Sequence, residues 1–195
     1  LDPICLGRYP DTTGYSYEAY IPDTTAEDMK IISQPIDFIG MNVYQTYRGK
    51  AGENGTCITI PNDPGYARTN AEWPVTPEAL YWGPKFYEER YHKKLYITEN
   101  GLSNQDWIFL DGQVHDLQRI DFLHRYLYQL KRAVEEGISV EGYFHWTLTD
   151  NFEWISGYNN RFGLVYTDFK NQNRIIKDSG KWYRQVIETN GEIIK

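Results

Sequence analysis

The chain has 195 residues, enough for one domain with a real core, and is 41% hydrophobic and 24% charged, as an ordinary globular protein is. Its formal net charge of -7, with the two signs interspersed, disfavours nucleic acid or an anionic membrane as partner, because nothing offsets phosphate repulsion. Cys5 and Cys57 make neither a disulfide framework nor a metal motif, and His92, His115, His124 and His145 lack close ligand spacing; no apolar run approaches the ~20 residues of a membrane span, and no metal or cofactor is expected.

The unusual quantity is the 16% of aromatic residues: 17 Tyr, 8 Phe and 6 Trp. Such rings combine a flat apolar face with a polar edge, which suits sugar or peptide ligands, and they equally suit a large aromatic core. No signal peptide is visible, and Leu1-Asp2-Pro3 reads as the middle of something longer. A cytoplasmic location is the expectation.

In chain order, residues 1–23 are rich in Pro, Gly, Tyr and Asp and read as loop. Thr25 with Asp28 is a helix-start pattern, and that helix should stop before Pro35. "IDFIGMNVY" (36–44) reads as a buried strand. Residues 45–76 form a long polar loop with Gly49, Gly52, Gly55, Pro61, Pro64 and Gly65; a loop this long is usually functional or mobile. Thr76-Pro77-Glu78 opens a helix with Thr76 as cap and Pro77 at the first position, and Gly83-Pro84 should kink or interrupt it. "KLYITEN" (94–100) is the next strand, and a second loop, 101–115, follows. Asp116 caps the clearest helix, with Leu117, Ile120, Leu123, Leu127, Leu130 and Val134 on one apolar stripe and Gly137 at its end. "VEGYFHWTL" (140–148) is another strand, and "RFGLVYTDF" (161–169) a strand in an excursion with its preceding loop. Asp178 opens a last helix with Trp182, Val186 and Ile187 inward, ended by Asn190-Gly191.

The order strand, long loop, helix recurs three times. It predicts an α/β fold with a parallel sheet and right-handed crossovers. The long loops all follow strands, where barrel enzymes keep their active sites. A doubly wound sheet is the alternative, but no G-x-G-x-x-G follows any strand. A closed eight-stranded barrel needs about 250 residues, so the chain is a small open sheet or a piece of a barrel.

The three strands end in Asn42-Val43-Tyr44, Glu99-Asn100 and Trp146 through Asn151, collecting polar and aromatic groups at one edge of the sheet. Each has a structural reading: Tyr44 and Trp146 as core, Glu99 as a rim carboxylate. The functional reading starts from Glu99. A tyrosine hydroxyl donated to a carboxylate favours its charged form, and an ionised, oriented carboxylate can attack an anomeric carbon. Trp and Tyr rings can stack on a sugar, with Glu153 and Asn151 on its hydroxyls. A retaining glycosidase needs a second carboxyl about 5–5.5 Å away. Neither Glu153, between aromatic neighbours that fit a binding role better, nor Asp37, at the wrong end of its strand, fits that part.

The chain closely resembles family 1 glycoside hydrolases, the β-glucosidase family, over almost its whole length. "LDPICLGRYP", "DFIGMNVY", "LYITENG", "HDLQRIDFLHRYL" and "WTLTDNFEWISGYNNRFGL" are similar to five of the family's motifs in the same order. The resemblance implies that Glu99 is the nucleophile, that Tyr44 orients it, and that Asn42 supports it. It implies that Trp146, Glu153, Trp154 and Phe162 form the sugar site and that Trp73 lines the leaving-group site. Asn100 and Asp150 match motif positions that are as readily structural, and His145 and Thr147 depart from the commonest spelling. The family's acid/base lies in an Asn-Glu-Pro motif, and no Asn-Glu-Pro occurs here.

By this match the chain corresponds to the last three βα units, strands six to eight, of a (β/α)8 barrel about twice as long. The parent enzyme is expected to hydrolyse β-glucosides, and secondarily β-galactosides or β-fucosides, with retention and without a cofactor. The chain alone is expected to be inactive, and to self-associate or to pair with an N-terminal half. A non-catalytic carbohydrate-binding or structural fragment is the rival reading.

Overall fold

The computed structural model describes residues 1–11, 18–53 and 56–195. Helix α1 (Asp2–Leu6) lies where a loop was expected: Pro3 presets the helical φ of its first turn, and Gly7 closes it in the left-handed conformation at φ 67°. A short 3-10 turn, Glu18–Tyr20, also falls in that segment; residues 12–17 of the expected loop lie outside the described residues. Helix α2 (Ala26–Ile32) begins at the expected capping box, with the Asp28 N–H donating to the Thr25 hydroxyl (3.1 Å) and the Thr25 N–H donating to Asp28 (2.9 Å).

Strand β1 (Phe38–Asn42) follows. The expected polar loop 45–76 is only partly loop. It contains an antiparallel hairpin, β2 (Arg48–Ala51) with β3 (Cys57–Ile60), while its Gly55 lies outside the described residues. Glycine makes the pairing close: a Cβ on Gly49 would stand 2.5 Å from Cys57 Sγ. Helix α3 (Ala79–Tyr91) starts later than expected, and Thr76 does not cap it, because its hydroxyl accepts the Thr46 N–H (2.8 Å). Pro84 lies inside α3 without ending it. Its buried ring forgoes one intrahelical bond, a loss that the surrounding core tolerates.

Strand β4 (Lys94–Asn100) leads through a loop to helix α4 (Leu117–Glu135). The buried face of α4 is rotated from the aliphatic stripe: Phe122, Leu123, Tyr126, Leu127, Leu130 and Ala133 are buried, whereas Leu117 and Val134 are exposed. The stacked pair Phe122–Tyr126, centroids 3.9 Å apart, sets the packing direction. Strand β5 (Val140–His145) stops before Trp146, shorter than expected. Of the excursion, β6 (Val165–Thr167) pairs antiparallel with β7 (Arg174–Ile176). Helix α5 (Asp178–Glu188) buries Val186 and half-buries Trp182, but Ile187 points to solvent. Among the described residues no helix is long and apolar enough to cross a membrane.

The central sheet has the order β1-β4-β5, all parallel. Ile39, Met41, Leu95 and Ile97 alternate onto one face and join the buried side chains of α3 and α4 in a single core. The other face is open: Phe38 is 50% and Phe144 58% exposed.

Beneath the loops at the C-terminal ends of the strands lies a buried charge cluster. Arg119 meets Asp106 (2.8 Å) and Asp116; Lys177 meets Asp106 (2.5 Å) and Asp150 (2.8 Å); Arg161 meets Asp150 (2.6 Å). Asp116 therefore spends its carboxylate on Arg119 and on the Ser179 N–H (2.8 Å), and makes no side-chain cap to α4. Burial raises the Asp106 pKa, but Arg119 and Lys177 together outweigh it and hold the carboxyl below its ordinary value.

Candidate active site

The β1–β4 register slips between Met41 and Asn42, and the β4–β5 register between Ile97 and Asn100. Such irregularities re-aim side chains at strand ends. Two backbone bonds carry the ladder onward: Val43 N–H to the Glu99 carbonyl (2.8 Å) and Trp146 N–H to the Asn100 carbonyl (2.9 Å). Trp146 comes so close to β4 that a Cβ on Gly101 would stand 1.9 Å from the Trp146 carbonyl oxygen. Only glycine fits after Glu99-Asn100.

Glu99 is half-buried at the end of β4, and the Tyr44 hydroxyl donates to its Oε2 at 2.7 Å. Burial first, then the bond to Glu99, raises the Tyr44 pKa far above its usual value, so this hydroxyl remains a donor. Trp73 packs on Tyr44 (5.1 Å), and Phe162 packs on both, at 6.1 Å from Trp73 and 6.3 Å from Tyr44. Across the site the Trp146 indole donates to Glu153 Oε1 at 3.3 Å. Burial raises the Glu153 pKa, opposed by the indole bond and supported by the charge of Glu99.

Other sequence-expected residues take different positions. Asn42 is exposed and accepts the Thr98 hydroxyl (2.7 Å). Trp154, in a 3-10 turn, is 82% exposed. The Asn151 amide reaches the Thr149 carbonyl at 3.4 Å. Asn100 is fully buried, donating to the Val43 carbonyl and accepting from Tyr143, both at 2.8 Å, so it ties three strands together. Asp150 sits in the charge cluster and accepts the Gly163 N–H (2.9 Å), which anchors the chain next to Phe162.

His145, a mere spelling variant in sequence terms, has a definite place. Its Nε2 donates to the Phe162 carbonyl (3.2 Å), and burial first, then the charge of Arg119, pushes its pKa down to about 3, so it is a neutral ring. The charge cluster was also missed. Its one local signal is Asp116 with Arg119 three residues on, a charged pair within a helix start.

A carboxylate oriented by a tyrosine, a second carboxyl bound to an indole, and aromatic rings packed on that tyrosine can together engage the hydroxyls and the apolar face of a polar ring ligand. The family model for glycosyl hydrolase family 1 matches residues 1–192, and the chain belongs to that family. It is 42% identical over 192 residues to the 1,4-beta-D-glucan glucohydrolase of Thermotoga neapolitana, a match covering 98% of this chain and 43% of that protein. It is 39% identical over 210 residues to the bifunctional beta-D-glucosidase/beta-D-fucosidase of Bifidobacterium breve, covering 96% and 45%. The solved beta-glucosidase from Thermotoga maritima in complex with castanospermine superposes with a TM-score of 0.88 at 40% identity, covering 97% of this chain and 43% of that one. The chain thus spans less than half the length of these relatives.

Proposed function

We propose that this chain supplies the nucleophile and part of the sugar site of a retaining β-glucosidase. The observation that carries the reading is the 2.7 Å bond from Tyr44 to Glu99 at the C-terminal ends of parallel strands. In this reading Glu99 attacks the anomeric carbon while an acid from outside the chain protonates the departing oxygen. The same group then activates water to hydrolyse the glycosyl-enzyme. Tyr44 holds Glu99 in its aim, and Asn42 supports that end of the strand through Thr98. Trp146 lies under the sugar ring, Glu153 and Trp154 take its outer hydroxyls with Phe162 beside them, and Trp73, packed against Phe162, lines the cleft toward the leaving group. We assign Glu153 to hydroxyl recognition because the Trp146 indole already engages its carboxylate.

The parallel order β1-β4-β5 and the 43% coverage of the relatives support a further step. β1, β4 and β5 are strands six, seven and eight of one (β/α)8 barrel, and an N-terminal part completes it. Unphosphorylated β-glucosides are the main substrates, with β-fucosides or β-galactosides secondary; the Bifidobacterium relative's name supports the fucoside.

The test is trapping in the complete enzyme. A 2-fluoro-glucoside should label the peptide containing Glu99, and Glu99→Ala should lose nearly all turnover, partly restored by azide. Full activity in Glu99→Ala, or label on another carboxylate, overturns the assignment. A protein that binds glucosides but is never labelled is a carbohydrate-binding fragment instead.

A further inference from the structure

A second site lies on the far side of the turn that carries Trp73. That turn is closed by the Thr69 N–H donating to the Trp73 carbonyl (2.9 Å) and is docked on the loop after β4, with Asn70 N–H to the Ser103 carbonyl (3.1 Å) and Ala71 N–H to the Ser103 hydroxyl (2.8 Å). Trp73 faces Tyr44 and Phe162. The other side of the turn lines a groove of about 420 Å³, together with Gln105, Trp107 and Gln118. Both flanks of this groove, the Trp73 turn and the loop after β4, belong to the chain itself.

The groove carries an aromatic platform. Trp107 is 60% exposed and stacks on Phe109, with centroids 5.1 Å apart and planes within 16°. Phe109 in turn meets His115 edge-on at 5.0 Å. His115 is clamped by Asp178 (2.5 Å) and Asp111 (2.9 Å). The outer face of the indole is thus presented to solvent by a backed and braced stack, which reduces the ordering cost of binding. The rest of the lining is polar: the amides of Gln105 and Gln118, the Asn70 amide, which also donates to Asn160, and charged groups that each have a partner, Arg68 with Glu72 (4.0 Å), Asp106 with Arg119 and Lys177, and His115 with Asp111 and Asp178. With each of these charges engaged by a partner, the groove favours a neutral ligand with many hydroxyls over a phosphate or an acidic peptide. An exposed, rigid ring beside convergent amides is how a protein surface grips a sugar: face on ring, hydroxyls on amides.

We propose that this groove is a second carbohydrate-binding site that takes a neutral β-linked gluco-oligosaccharide, one sugar stacked on Trp107. The choice of a β-glucan rests on the β-glucosidase reading; the site itself rests on the platform and its lining. It would hold a long substrate outside the catalytic cleft, back to back with Trp73.

The test is calorimetric titration of the complete protein, carrying Glu99→Ala so that the oligosaccharide is not hydrolysed, with cellohexaose and with mannohexaose, alongside binding of a glucose-sized imino sugar. Trp107→Ala should weaken hexaose binding about tenfold, the worth of one stacked ring, while Trp107→Phe should cost much less. Gln105→Ala, an exposed change that keeps the stack intact, should weaken it in the same direction. Imino-sugar binding should be unchanged in all three. Hexaose affinity indifferent to Trp107→Ala and Gln105→Ala, or no hexaose binding at all, overturns the proposal. Binding of either hexaose that depends on Trp107, without imino-sugar binding, supports the groove and counts against the β-glucosidase reading alone.

Discussion

In the proposed function Glu99 carries the chemistry, and its neighbours decide what it can do. The Tyr44 hydroxyl is its one hydrogen-bond donor from a side chain among the described residues. A bond to a charged group is worth about 1.5–3 kcal/mol, so Tyr44→Phe should lower kcat/KM of the complete enzyme by roughly 10- to 100-fold. Steady-state kinetics on a nitrophenyl glucoside would measure this, and an unchanged rate would remove Tyr44 from the nucleophile's support. Glu153 sets a second prediction. A 6-phosphate on the sugar would bring its charge toward that carboxylate, which burial and Glu99 already disfavour as an anion. Turnover of a 6-phosphoglucoside should therefore fall well below that of the plain glucoside, and Glu153→Ser should narrow the gap. Equal turnover by the unmodified enzyme would refute the specificity.

Between elements, buried charges hold the loops in place. Lys177, at the start of α5, is fully buried and bridges Asp106 in one loop to Asp150 in another. Lys177→Met keeps the stem but leaves two carboxylates short of a partner, and breaking such a pair costs about 3–5 kcal/mol. Urea unfolding of the complete protein should show that loss; a change below about 1 kcal/mol would mean the cluster relaxes freely. At the surface, His115 joins the loop after β4 to α5. Asp178 first, then Asp111, raises its pKa above the ordinary 6.5. A raised folded pKa contributes stability that is fully present below pH 6.5 and lost as pH rises through the folded value. Compared with His115→Gln, the native protein should be more stable at about pH 5, and the two should converge by about pH 9. A difference that does not change with pH would exclude the ion pair as its source.

At the scale of the whole chain, the central sheet is a three-stranded parallel sheet. Among the described residues β1 and β5 are the outer strands of the sheet, each with one edge that has no strand partner. The sheet's second face is open at Phe38 and Phe144, and an apolar groove of about 560 Å³ runs between α4, α5 and the β5 edge, lined by Leu127, Leu130, Val140 and Tyr143. Parallel strands are normally covered on both faces. The 195-residue chain alone should therefore self-associate and, if the proposed function holds, show no β-glucosidase activity, because positioned acid catalysis contributes about 10²–10⁴-fold and that reading takes its acid from outside the chain. Co-production with the N-terminal part should restore both a monodisperse protein and activity. Light scattering and glucoside hydrolysis would measure the two together. A monomeric, sharply melting and active chain would overturn this reading.

The three strands, the helices after them and the α2 capping box were legible in the sequence, whereas the pairing of Tyr44 with Glu99, 55 positions apart, came from the family resemblance. Alternation, capping chemistry and turn residues act over a few positions, and the motif around Glu99 is contiguous. Other features waited for the tertiary structure. Lys177 and Asp106 are 71 positions apart, and nothing local announces that a lysine and an aspartate will be buried against each other. The same holds for His145 under Phe162 and for Asn100 tying three strands. The buried face of α4 turned on what lay opposite it: Phe122 and Tyr126 entered the core while Leu117 and Val134 faced water. Short-range backbone preference thus determined which elements form. Long-range packing and the cost of burying a charge unpaired decided which face each element turns inward and which polar side chains serve the fold rather than the site.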